Sequence, residues 1–183
     1  MELWVGVGVA AVVLLYLVTV YNMLVAKRNQ VRNGWSQIDV QLKRRHDLVP
    51  NLVNAVKGYL GHERQVIEEV TRTRAAAMAA GGVAGRAQAE NALTQALRSL
   101  FAVAEDYPTL RANENVLVLQ EELSATENRV AFARQFYNDA VQEYNTARGS
   151  FPPILVAGLL RFVPAEFFAL QDPAERAVPQ VQL

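Results

Sequence analysis

Residues with the means to do chemistry are few in this chain. Cysteine is absent from all 183 positions, which excludes thiol nucleophiles, disulfide scaffolds, cysteine zinc sites and cysteine-ligated iron–sulfur clusters. Two histidines remain, His46 and His62. His62-Glu63 is the first half of a His-Glu-x-x-His metalloprotease pattern, but the second histidine falls due at position 66, which is Val66. His46-Asp47 is an adjacent pair with no nucleophile in a recognisable context. Acid pairs such as Asp39 with Glu68, or Glu121 with Glu122, read as solvated helix faces. No glycine-rich phosphate loop follows a strand. The expectation is a non-enzyme with no catalytic, metal or cofactor residues.

A different set of polar residues stands out by spacing. Asn113, Gln120, Glu127 and Arg134 recur at steps of seven. They lie within the series Val116, Gln120, Leu123, Glu127, Val130, Arg134, Tyr137, Val141 and Tyr144, whose steps of three and four trace one stripe of a helix. Arg45 breaks a second such stripe, Val31, Trp35, Ile38, Leu42, Arg45, Val49, Leu52, Val56 and Tyr59. An isolated buried charge is costly, so each of these groups needs a partner or a route to water. Charge complementarity predicts that Arg45, or its neighbour Arg44, bonds Glu127, with Arg134 sharing that carboxylate. Three roles stay open for Arg44, Arg45, Gln120, Glu127 and Arg134: setting helix register, forming a binding or relay site, or snorkelling to solvent.

The elements that must position these residues are helices. The first stripe continues in phase across Pro50, which predicts a kink rather than a break. A second helix begins near Gly61-His62 and reaches the alanine run at 75–80, and a single long helix from the first stripe to about Ala80 fits the same phase. Gly81, Gly82 and Gly85 mark a turn. A third helix from about Arg86 to Glu105 places Leu93, Leu97, Leu100 and Ala104 on one face, and Asp106-Tyr107-Pro108 ends it. The fourth runs from about Thr109 to Arg148, and Gly149-Ser-Phe-Pro-Pro closes it. No strand pattern competes. The reading is an all-α fold, an up-and-down bundle of about four long helices behind an N-terminal transmembrane helix.

That transmembrane helix is the uncharged run from Leu3 to Ala26. At 1.5 Å per residue it is about 36 Å long, enough to cross a hydrocarbon layer of about 30 Å. Glu2 precedes it and no small-residue cleavage site follows, so a retained anchor fits better than a signal peptide. Beyond the run, Lys27, Arg28, Arg32, Lys43, Arg44 and Arg45 face one acid, Asp39, before position 47. The positive-inside rule then predicts a single-pass inner (plasma) membrane protein with Met1 outside and the body cytoplasmic. The expected organisation is a transmembrane anchor over 1–26, a helical bundle over 27–150, and an apolar C-terminal segment and tail over 151–183.

Over the whole chain 18 basic and 18 acidic residues cancel, so no global field recruits nucleic acid. Gly6 and Gly8 permit close approach of a neighbouring anchor, without the spacing of a small-xxx-small motif. From Phe151 to Leu170 the chain is apolar, with only Arg161 and Glu166 charged and with Pro152, Pro153 and Pro164 interrupting it. Residues 151–183 therefore pack on the bundle end, on the membrane interface or on another subunit. Ala177–Leu183 alternates enough to add an edge strand to a neighbour. The expected partners are the lipid bilayer and other proteins, with a homo-oligomer open and nucleic acid excluded.

Several segments together resemble the LemA family of small bacterial membrane proteins. They are Tyr21-Asn-Met-Leu-Val25, the stretch from Asn33-Gly-Trp-Ser-Gln to Pro50-Asn-Leu-Val53, Val56-Lys-Gly-Tyr59, and His62-Glu63. Tyr107-Pro108, Leu119-Gln-Glu-Glu-Leu-Ser-Ala-Thr-Glu-Asn-Arg129, Arg134-Gln-Phe-Tyr-Asn-Asp-Ala-Val141, Tyr144-Asn145 and Phe151-Pro152 follow in family order. Gly34 stands where alanine is expected and Val116 where an aromatic is common. The resemblance implies one N-terminal membrane helix with a short extracytoplasmic end, then a helical bundle, and it transfers no active site. The function expected is a membrane-anchored scaffold or adaptor at the cytoplasmic face. The alternatives are a homo-oligomeric membrane-organising assembly, or an enzyme or ligand-binding bundle using the polar seam.

Overall fold

A computed structural model describes residues 1–59 and 63–168. Within these residues six helices follow one another: α1 (Glu2–Lys57), α2 (Arg64–Ala79), α3 (Val83–Glu105), α4 (Pro108–Arg111), α5 (Glu114–Gly149) and α6 (Pro153–Leu159). Among the described residues there is no strand. The apolar run and the first stripe are one unbroken helix, and α1 passes through Pro50. It ends at Lys57, so the single helix reaching Ala80 does not form; α2 starts afresh at Arg64. Gly61, His62 and the tail Ala177–Leu183 lie outside the described residues.

The long fourth helix is also divided. A short α4 carries Pro108 in its first turn, and α5 begins after Asn113. Asn113 was placed on the polar seam by its spacing, but it caps α5 instead. Its Oδ1 accepts from the backbone N–H groups of Asn115 at 3.0 Å and Val116 at 3.4 Å, and its Nδ2 donates to Tyr59 Oη at 3.0 Å. A side chain that satisfies the orphan donors of a first turn competes with continuing the helix through it.

The apolar stripes point where their spacing places them. Val31, Ile38, Leu42, Val49, Leu52 and Val56 of α1 are buried, as are Val116, Leu123, Val130, Tyr137, Val141 and Tyr144 of α5. The chain divides into two compact units. One comprises Met1–Val40 and Ala131–Phe167; the other comprises Gln41–Val130, to which Phe168 also belongs. In the second, α2 and α3 form a hairpin around Gly82, whose φ of 70° suits a residue without Cβ. Its core joins Leu52, Val56, Val70, Leu93, Leu97, Leu100 and Leu110.

In the first unit, α1 and α5 approach closely at Gly34, where an added Cβ would stand 3.0 Å from Tyr137 Cα. Trp35 meets the Tyr137 ring edge-on at 5.7 Å between centroids. After α6 the chain turns through a Schellman motif: Phe162 N–H donates to Ala157 O and Arg161 N–H to Gly158 O. Residues 162–166 then run back as an extended strap, held by side chains of α5. Arg148 Nε donates to Phe162 O at 2.6 Å and Tyr144 Oη to Val163 O at 2.8 Å. Asn145 bonds both backbone groups of Ala165, and Tyr137 Oη donates to Glu166 O at 2.8 Å. The C-terminal segment therefore packs, in part, on its own unit.

Burial, and secondarily the charge of Glu166, pushes the Tyr137 phenol above its ordinary value of 10.0. The protonated form is favoured in the fold, so its contribution is complete below the unfolded value. It is lost as pH rises towards the higher folded value. The substitution Tyr137→Phe is expected to cost about 0.5–1.5 kcal/mol at neutral pH. Compared with the parent, it should also lose less stability near about pH 11. Denaturant unfolding of the full chain in detergent at both pH values measures this, and an unchanged alkaline slope would contradict it.

Candidate functional site

In the second unit two carboxylates, Glu90 and Glu127, meet at Arg45. Its neighbours on the α1 stripe are Leu42 and Val49, both buried, so the guanidinium enters the unit with its side chain only 3% exposed. Nη2 lies 3.2 Å from Glu127 Oε2 on α5 and donates to Thr94 Oγ1 on α3 at 2.7 Å. Nη1 lies 3.6 Å from Glu90 Oε2, also on α3. The other oxygen of Glu90 is 2.7 Å from His46 Nε2. From α2, Arg74 Nε donates to the backbone carbonyl of His46 at 2.7 Å. Four helices are thus joined through one small polar cluster.

The cluster contains the expected pair of Arg45 with Glu127, with one departure in the carboxylate that is buried. The inward-facing cation is Arg45; Arg44 is exposed. Its buried carboxylate is Glu90, 4% exposed, whereas the side chain of Glu127 is 41% exposed and closes the cluster from the solvent side. Arg134 stands two turns further along α5 and belongs to the other unit. Gln120 is exposed and lines a separate cavity of about 380 Å³ in the second unit, among Leu52, Val56, Leu100, Phe101 and Leu110.

Glu90, His46 and Thr94 were not among the sequence candidates, yet a signal for two of them existed. Glu90 continues the Leu93, Leu97, Leu100 stripe backwards by three, so a carboxylate occupies a core slot of α3 just as Arg45 does on α1. His46 fits the α1 stripe as well as Arg45 does, being four after Leu42 and three before Val49. Thr94 left no such trace, because a threonine beside a stripe is ordinary.

The chemistry available to this cluster is limited by mutual use. The Thr94 hydroxyl accepts from Arg45 and donates to the Glu90 carbonyl at 3.1 Å, which leaves it poorly placed as a nucleophile. His46 is held by Glu90, and Arg45 is shared among three partners. Among the described residues no group of three histidine, aspartate or glutamate side chains forms a metal-holding arrangement. The cluster links α1, α2, α3 and α5, and within it the buried Arg45 of α1 and Glu90 of α3 compensate each other's charge.

Comparison with known proteins adds the following. A family model described as "LemA family" matches residues 34–183. Magnetosome protein MamQ 2 and Magnetosome protein MamQ 1 of Paramagnetospirillum magneticum are each 24% identical over 189 aligned positions, covering 89% of this chain and 70% of theirs. Magnetosome protein MamQ of Magnetospirillum gryphiswaldense is 24% identical over 174 positions, covering 81% of this chain and 64% of its own.

Removing the buried cation and removing its half-exposed partner should have unequal effects. Arg45→Met leaves Glu90 buried beside His46 alone, with an expected loss of about 3–5 kcal/mol. Glu127→Gln, near solvent, should cost no more than about 1 kcal/mol. Denaturant unfolding of the two full-length variants provides the comparison; equal losses would contradict the assignment of Glu90 as the buried counter-charge.

Proposed function

The chain belongs to the LemA family, and from that premise we propose that it is a membrane-anchored helical scaffold or adaptor without catalytic activity of its own. Membrane association rests on α1. It carries an apolar stretch long enough to cross a bilayer, and from Met1 to Thr19 every residue is exposed. In this reading Met1 lies outside the inner membrane and the body in the cytoplasm, in keeping with Lys27, Arg28 and Arg32 directly after the apolar run.

The observation that carries the adaptor role is on α5. Phe132 and Phe136 stand four residues apart, on one helix face, with exposures of 72% and 40%. Phe132 is largely in water, while Phe136 is more than half covered and lies beside Gly34 of α1; the aromatic surface they leave open at helical spacing is of the kind that docks a partner helix or groove. The polar cluster supports the same view, because its charged groups are engaged with one another and it reads as a register device. The anchor's part is to confine partner encounters to the membrane plane. The identity of the protein partner is not specified by these features; its contact chemistry is apolar and aromatic.

Paired substitution of Phe132 and Phe136 by serine tests the proposal. Phe132 is largely exposed, and Phe136 also packs beside Gly34, so the single substitution Phe132→Ser is made alongside the pair and a circular dichroism spectrum like that of the parent checks that the fold is retained. Chemical crosslinking in native membranes, followed by identification of the attached chains, is expected to lose its adducts by about tenfold or more. An adduct pattern identical to that of the parent would overturn the assignment of this face.

A further inference from the structure

The apolar part of α1 is not bare along its whole length. Leu3 to Thr19, 17 residues, is exposed throughout. At 1.5 Å per residue this is about 25 Å, short of the roughly 30 Å of hydrocarbon that a spanning helix must cross. The missing depth has to come from the next turns. There Val20 is 4% exposed and Leu24 is fully covered. In the same unit, the Phe162 ring meets Tyr21 edge-on at 6.0 Å and lies 5.2 Å below the Arg28 guanidinium. The turn that follows α6 is therefore fixed against the last apolar turns of the anchor, where they give way to Lys27 and Arg28.

α6 has the composition of a segment in contact with lipid. All seven of its residues are apolar or glycine. Pro153, Val156 and Ala157 are buried against the unit, while Leu155 is 65% and Leu159 79% exposed. Phe151 at 80% and Val163 at 72% extend the exposed surface on either side. A helix facing water would carry polar residues there. The single charge between Ser150 and Ala165 is Arg161, which takes the left-handed position of the Schellman turn with φ 54°, where glycine is usual. An exposed cation next to an apolar face is the arrangement of helices that lie at an anionic lipid surface.

We propose that α6 and its flanks, residues 151–163, form a second membrane contact. The exposed side chains of Phe151, Leu155, Leu159 and Val163 enter the acyl boundary beside the anchor, and Arg161 faces the headgroups. The occupant of this surface is phospholipid. The proposal rests on the membrane-spanning reading of α1, since the level of α6 is set by its attachment there.

The absence of cysteine allows unique nitroxide labels at Leu155→Cys and Leu159→Cys, both at exposed positions that leave the packing untouched. Val13→Cys serves as the anchor reference and Gly85→Cys as the water reference. The full-length chain is reconstituted in vesicles of phosphatidylcholine and phosphatidylglycerol. Label relaxation by oxygen, which concentrates in lipid, is then compared with relaxation by a water-soluble nickel chelate. At positions 155 and 159 oxygen is expected to prevail severalfold, as at 13, with the order reversed at 85. Nickel prevailing at 155 and 159 while oxygen prevails at 13 would overturn this contact and leave the anchor intact. Labels at 155 and 159 shielded from both agents would overturn it in favour of a second copy of the chain. A water-like Val13 would overturn both the contact and the anchor.

Discussion

The organising constraint is the unpartnered apolar surface at the start of α1. Among the described residues, positions 3–19 are exposed throughout, and in water that surface would be penalised by about 25 cal/mol for every Å² of it. A bilayer removes the penalty without any protein contact, and the backbone bonds of a single helix are already satisfied within it. Because α1 continues unbroken to Lys57, the segment that meets lipid and the segment that builds the body are the same rod.

Within the second unit the fold depends on a charge that has nowhere else to go. Arg45 is buried among helices, and its partners come from α3 and α5. Apolar stripes alone would tolerate sliding by a turn, because steps of three and four repeat. A guanidinium that must meet Glu90, Thr94 and Glu127 does not tolerate it. This is the use of buried polar groups best attested in coiled coils, where specificity of register is obtained at some cost in stability. It also explains why Arg45 and Glu127, which resemble part of a site in the sequence, are engaged with α3 in the structure.

Much of this was legible in the order of residues. The uncharged run, the α1 and α5 stripes and the helix breakers at Gly82 and Pro108 follow from periodicity and backbone chemistry, and the pairing of Arg45 with Glu127 follows from charge. What escaped was set by tertiary geometry. Asn113 fits a seven-residue spacing and a helix cap equally well, and only the break at α4 decides between them. Glu90 was visible as a stripe position but sits 45 residues from its arginine, in a helix that otherwise reads as an ordinary amphipathic one. The strap at 162–166 has no period at all; it exists because Tyr137, Tyr144, Asn145 and Arg148 present donors to its carbonyls. Tyr137, Tyr144 and Asn145 fall in segments that carry the family resemblance, and the structure gives them a mechanical role.

Anchoring depends on where the front of α1 resides. Native membranes washed with alkaline carbonate, which strips proteins held only by surface contacts, separate the possibilities directly. A chain whose exposed apolar helix crosses the bilayer is expected to remain in the sedimented membranes. Its release, intact, into the supernatant would show that this helix is buried in protein or lies on the surface, and would contradict the anchored reading.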